Sequence, residues 1–208
     1  MIFYYITDRT QFSGDETSRR RFLLAKISEA VESGLDFIQL REKELSIREL
    51  ESLARDAVRL VHQEPHEKTR LLINSRSDVA VASAADGVHL RSGDVSPREV
   101  RSLWRDTDNR MPVIGASCHS PADVQRAKNE GANFAVFGPV FGKKNGDSQP
   151  VGMDLLRQAC AIGIPVLALG GVTLENARAC MDAGAAGIAG IRLFQENEIG
   201  EVVRRLRV

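Results

Sequence analysis

The chain lacks a net charge. Its 208 residues carry 28 lysines and arginines against 28 aspartates and glutamates. Nothing overall draws it to nucleic acid or to a membrane surface. A local anion site stays open, because a few backbone amides and one or two cations suffice for one. Long apolar runs are also missing, and none approaches the ~18 residues of a membrane-spanning helix. The first residues, Met1 to Arg9, have no basic leader and reach Asp8 too early for a secretory signal. Cysteine is scarce: Cys118, Cys160 and Cys180 are odd in number and show no metal-ligand spacing. A reduced, cytoplasmic setting is the expectation. No glycine-rich phosphate turn follows the first apolar segment, which counts against the runner-up architecture, an open doubly wound sheet.

What is present is a regular alternation. Apolar runs of strand length lie at Ile2 to Thr7, Asp36 to Arg41, Arg70 to Asn74 and Gly87 to Leu90. Four more start at Val113, Asn133, Ile164 and Ala186. A helical pattern follows each one. The first helix shows its apolar spacing from Phe22 to Val31. The second opens on a capping-box pattern, Ser46 with Glu49. Later starts fall at Asp78, Ser96-Pro97, Pro121, Gly152 and Thr173, and Val202 to Leu206 closes the chain. Small residues announce several strands in the same way, as in Ser33-Gly34-Leu35-Asp36 and Asp182-Ala183-Gly184-Ala185. Such a count predicts a single (β/α)8 TIM barrel, with residues 1–208 as one domain.

In a barrel every strand's C-terminal end opens on one rim, where chemistry is done. Gln39, Arg41 and Lys43 follow the second strand, and Asn74 with Ser75 the third. His89, Arg91 and Asp94 come from the fourth, Ser117 and His119 from the fifth. Lys143 and Lys144 lie after the sixth, Gly170 and Gly171 after the seventh, and Gly190 and Arg192 at the eighth. The rim is rich in cations, with Asp94 as the one well-placed carboxylate. That asymmetry predicts a phosphorylated small-molecule ligand, with the glycine turns of strands seven and eight as its phosphate cradle. His119 can serve as acid or base near neutral pH. His89 is expected to be structural, His62 and His66 to lie on the surface, and Cys118 to be a bystander.

Gln39-Leu40-Arg41-Glu42-Lys43, Ile73-Asn74, Asp86-Gly87-Val88-His89-Leu90, Phe137-Gly138-Pro139-Val140-Phe141 and Gly170-Gly171-Val172 resemble the thiamin phosphate synthase/TenI family from Tyr5 to about Phe194. The resemblance implies a (β/α)8 barrel and one of two reactions. The synthase joins hydroxymethylpyrimidine diphosphate to thiazole phosphate and releases pyrophosphate with Mg²⁺. The TenI branch isomerises a thiazole carboxylate phosphate with a histidine and no metal. Carried over residue by residue, the synthase motif is intact at Gln39, Arg41 and Lys43, at Asn74 and at Ser117. Its first metal aspartate is replaced by Ser75, while the second is kept as Asp94. Its loop threonines are absent between Gly142 and Gly146, and Arg192 stands where a serine is usual.

Ser117-Cys118-His119-Ser120 and the loop Leu90 to Pro97 look more like TenI. The leading expectation is therefore a thiazole tautomerase, with His119 and Lys43 catalytic and no cofactor. Gln39, Arg41, Asn74, Ser117, Lys144, Gly170, Gly171 and Gly190 are expected to bind substrate. The alternatives are a synthase, with Asp94 as a Mg²⁺ ligand, and a non-catalytic phosphate-ligand binder. No nucleic-acid or membrane partner is expected; a homo-oligomer stays open.

Overall fold

The computed structural model describes residues 1–63, 68–105, 111–142 and 149–207. Eight parallel strands close in sequence order, with the last pairing back to the first. They are β1 (Ile2–Ile6), β2 (Phe37–Leu40), β3 (Arg70–Asn74), β4 (Gly87–Leu90), β5 (Val113–Cys118), β6 (Phe134–Phe137), β7 (Val166–Leu169) and β8 (Gly187–Gly190). Helices α1 (Glu16–Glu32), α2 (Ile47–Val61), α3 (Ser77–Ala82), α4 (Pro97–Arg105) and α5 (Pro121–Asn129) follow the first five. Then come α6 (Gly152–Cys160), α7 (Ala177–Asp182), α8 (Arg192–Gln195) and α9 (Ile199–Leu206). The expected (β/α)8 TIM barrel is the fold.

Both faces of the strands are covered, so near-continuous apolar runs are what a parallel barrel needs. Alternate residues feed two cores. Phe3, Tyr5, Ile38, Leu40, Leu71 and Ile73 point outward to the helices. Tyr4, Ile6, Leu72, Phe134, Val136, Leu167 and Ala189 fill the barrel itself. Each fully buried side chain of this size contributes roughly 1.5–3 kcal/mol. Tyr4, Phe37 and Phe134 pack ring to ring in the interior, the last two stacked with centroids 4.8 Å apart. Among the described residues no helix is long and apolar enough to cross a membrane.

Four element boundaries differ most from the sequence expectations. Helix α1 starts six residues before Phe22, capped by Asp15, whose carboxylate accepts from the Ser18 amide at 2.8 Å. Its first turns face water, so no apolar stripe marks them. Thr173 does not cap α7: its amide donates to Asn176 Oδ1 at 2.8 Å, and the helix begins only at Ala177. Strand β7 starts at Val166, because Pro165 has no N–H to give a ladder. The chain's end holds two helices, α8 and α9, where one was expected.

Candidate functional site

The β2 end is held from below by a buried ion pair. Glu42 is fully shielded and accepts from the Arg9 amide at 3.0 Å and from the Arg9 guanidinium at 3.2 Å. It also accepts from the Thr7 hydroxyl, and Thr7 Oγ1 in turn accepts from the Arg41 amide at 3.0 Å. Burial pushes the Glu42 carboxyl above its usual range, against the hydrogen bonds of Thr7 and Arg9. Side chains on either side of Glu42, Arg41 and Lys43, are thereby presented at the mouth. Neither makes an ion pair among the described residues. Lys43 is exposed, yet the nearby positive charge of Arg41, some desolvation and the charge of Arg91 lower its pKa. Glu44 and Asp8 oppose that shift only in part, so cations prevail around Lys43.

Ser75 and Asp94 meet at the ends of β3 and β4. Ser75 adopts a left-handed backbone conformation, φ 61°, and Asn74 donates to its hydroxyl at 3.3 Å. Burial would raise the Asp94 carboxyl, but the Arg91 amide (2.7 Å), the Ser75 hydroxyl and the Arg91 guanidinium (3.2 Å) bring it below the usual range. Both Asp94 oxygens are engaged by Arg91. Among the described residues no three histidine, cysteine or carboxylate side chains group as a metal site. Mg²⁺ usually takes one or two carboxylates plus substrate phosphates, so Asp94, with Ser75 as a neutral neighbour, would hold it only together with a bound diphosphate.

Inside the barrel a hydrogen-bonded row climbs toward the mouth. Gln39 donates its amide to the Tyr4 hydroxyl at 2.9 Å, Tyr4 lies 3.1 Å from His89 Nδ1, and His89 Nε2 lies 2.8 Å from Ser117 Oγ. Gly115 makes room for this row: a Cβ there would sit 2.9 Å from His89 Nδ1 and 2.7 Å from the Phe134 ring. Burial drives the His89 pKa down to about 3; Asp94 opposes this and Arg41 adds to it.

His119 is exposed at the end of β5. Its Nδ1 lies 2.6 Å from the Gly138 carbonyl, which can only accept, so Nδ1 carries the proton. In the neutral ring Nε2 keeps its lone pair. Cys118 is buried and its thiol is pushed up to about 12, as befits a bystander.

Among the described residues the opposite side of the mouth is made largely of backbone. Gly170 and Gly171 have φ of 93° and 65°. The chain after β6 lies against them: Val140 donates to Leu169 O at 2.8 Å and Phe141 to Gly170 O at 3.0 Å. A Cβ on Gly170 would fall 2.5 Å from Pro139 Cβ. Gly190 is buried within β8, paired with Tyr5. The amides of Gly171, Val172, Ile191 and Arg192 donate to no protein acceptor among the described residues.

The barrel thus brings Gln39, Arg41, Lys43, Asn74, Asp94, Ser117, His119, Gly170, Gly171 and Gly190 to the C-terminal ends of their strands. Lys143, Lys144 and His66 lie outside the described residues. His62 sits away from the strand ends, just after α2, its Nε2 3.0 Å from Asp86. Sequence reasoning missed Tyr4, Arg9 and the buried role of Glu42. Tyr4 is hidden in an apolar run, but a glutamate between two functional cations was a visible signal.

The family described as Thiamine monophosphate synthase matches residues 3–194. The chain is 34% identical over 187 residues to the thiamine-phosphate synthase of Enterococcus faecalis, covering 89% of this chain and 82% of that protein. It is 32% identical over 198 residues to that of Clostridium novyi, covering 94% and 91%. A solved structure, the thiamine phosphate pyrophosphorylase from Pyrococcus furiosus, superposes with a TM-score of 0.81 at 28% identity, over 99% of this chain and 93% of that one. With the family model matching residues 3–194 and relatives more than 30% identical over 89–94% of it, the chain belongs to the thiamine monophosphate synthase family.

Proposed function

We propose that the chain is a thiamin-biosynthesis transferase that joins hydroxymethylpyrimidine diphosphate to thiazole phosphate. The thiazole nitrogen forms a bond to the pyrimidine's methylene carbon, the carbon–oxygen bond to the diphosphate breaks, and pyrophosphate leaves with the electron pair. The observation that carries this reading is the cation cluster of Arg41 and Lys43, which make no ion pair among the described residues, with Arg91 close enough to perturb Lys43. Such a cluster suits a polyanion whose charge grows as it departs. The open amides of Gly171, Val172, Ile191 and Arg192 suit the second, smaller phosphate on the thiazole. The names of the full-length relatives support the same reaction, which moves it ahead of the tautomerase expected first from sequence.

Tautomerisation of a thiazole carboxylate phosphate is the second reading, and one observation favours it. His119 holds its proton on Nδ1 against Gly138 O, leaving Nε2 as a ready base for a carbon-bound proton. Two assays on one preparation separate the readings. Thiamin phosphate formed from the two synthase substrates, with Mg²⁺ supplied, supports the transferase; conversion of the thiazole carboxylate alone supports the tautomerase. Lys43→Ala should lower transferase kcat by about 100-fold, and His119→Ala should abolish tautomerisation. Tight binding of thiazole phosphate with no turnover in either assay would reject both and leave a binding protein.

A further inference from the structure

The row inside the barrel has a direction that its chemistry dictates. Gln39 donates to the Tyr4 oxygen. Tyr4 is fully buried, so its own hydroxyl proton needs an acceptor. Among the described residues the remaining partner is His89 Nδ1 at 3.1 Å. Nδ1 therefore accepts, and in a neutral imidazole the ring proton then sits on Nε2. Nε2–H donates to Ser117 Oγ at 2.8 Å. Ser117 receives that bond and keeps its own proton, which has no protein acceptor among the described residues. Its position is half-exposed, at the C-terminal end of β5.

We infer that Tyr4 and His89 are positioning residues that hold Ser117 as a hydrogen-bond donor toward an acceptor atom on the bound substrate. A serine hydroxyl on its own could rotate to donate or accept. Here the donation from His89 occupies a lone pair and turns the proton toward the mouth. The arrangement needs a neutral ring, because imidazolium would donate from both nitrogens and strand the Tyr4 proton. Burial keeps the ring neutral, with Asp94 after β4 and Arg41 after β2 as the charges that act on it. The row also joins the two sides of the motif: Gln39 at one end and Ser117 at the other share one set of oriented bonds.

The substrates named in the test rest on the transferase reading; the tautomer does not. Histidine ring nitrogens of uniformly ¹⁵N-labelled full-length protein report it directly, with His89→Gln identifying the signal. The expected spectrum shows an Nε2–H ring for His89, with an acceptor-type Nδ1 that does not titrate between pH 5.5 and 8, a window chosen around the usual histidine pKa of about 6.5. Tyr4→Phe should convert that signal to a tautomer mixture while the thermal melt stays cooperative. An Nδ1–H ring, or a ring that titrates in that window, overturns the inference without needing any turnover. With turnover, Ser117→Ala should raise the KM of one substrate by about tenfold, and the substrate affected carries the acceptor. Tyr4→Phe should raise the same KM, and the double variant should match Ser117→Ala within about twofold. Effects that multiply, or a Tyr4→Phe effect on kcat alone, would also overturn it. A protein without turnover would sink the reaction proposed above and leave the spectrum to decide the relay.

Discussion

The two sides of the barrel mouth are built by different means. From β1 to β5 the mouth is lined by side chains set on a few buried bonds: the Arg41 amide is held by Thr7, Thr7 by Glu42, and Ser117 by His89 and Tyr4. From β6 to β8 the described residues offer mainly main chain, with glycines that let the segment Pro139 to Phe141 close on the β7 turn. The first side can set charge, proton position and donor direction, because side chains carry those properties. The second side can offer amides at fixed places whatever the pH. A ligand with a reacting end and a phosphate end suits a mouth divided in this way. The two sides should therefore fail differently.

The largest effect is expected on the side-chain half under acid. His89 is 3% exposed, and its pKa falls from 6.5 to about 3 on folding. Below pH 6.5 the unfolded chain takes up a proton that the folded chain refuses, so stability falls with pH. The loss from this group approaches about 4–5 kcal/mol by pH 3. Denaturant unfolding at pH 7 and pH 4.5 measures it: roughly 2–3 kcal/mol of the wild-type loss should be missing in His89→Gln. Next comes Glu42→Ala, which removes the buried acceptor of three bonds from Arg9 and Thr7, leaves Arg9 only the exposed Glu16 and Glu44, and should cost about 3 kcal/mol at neutral pH. The same unfolding experiment reads it, and Arg41 should lose its fixed place, with a higher KM for the diphosphate.

On the backbone half Gly170→Ala should cost about 2–3 kcal/mol, from a left-handed alanine and a contact with Pro139. Unlike His89→Gln, its penalty should be the same at pH 7 and pH 4.5. A pH-dependent penalty there would erase the contrast between the two sides. The smallest effect belongs to Asp94→Asn. The Asp94 carboxyl is held below its usual 3.8 when folded, so it stabilises above that pH and the benefit is lost as pH falls through the folded value. Its share is under about 1 kcal/mol, visible as a small difference between variant and wild type at pH 7 that closes in stronger acid.

How much of this was legible in the sequence follows from the same division. Strand–helix alternation fixed which residues reach the rim, so Arg41, Lys43, Asp94, Ser117 and His119 could be named before any contact was known. The contacts that orient them could not. Tyr4 and His89 are 85 positions apart and meet only because the barrel closes. Within its own segment Tyr4 looks like any core aromatic, and His89 looks like a structural histidine. Arg9 reads as part of a polar turn, although it is 5% exposed and bound to Glu42. The pairing of Asp94 with Arg91 is local, three residues apart, but the neighbouring Ser75 changes what it means: a carboxylate left with a guanidinium in place of a second acid.

The division of labour at the mouth is tested most directly by titrating ¹⁵N-labelled protein with thiazole phosphate and following the backbone amides. The amides of Gly171, Val172, Ile191 and Arg192 should move together and saturate, with those of Arg41 to Lys43 responding only when a diphosphate is added. Shifts from thiazole phosphate confined to Arg41 to Lys43 and Arg91 to Asp94 would contradict it.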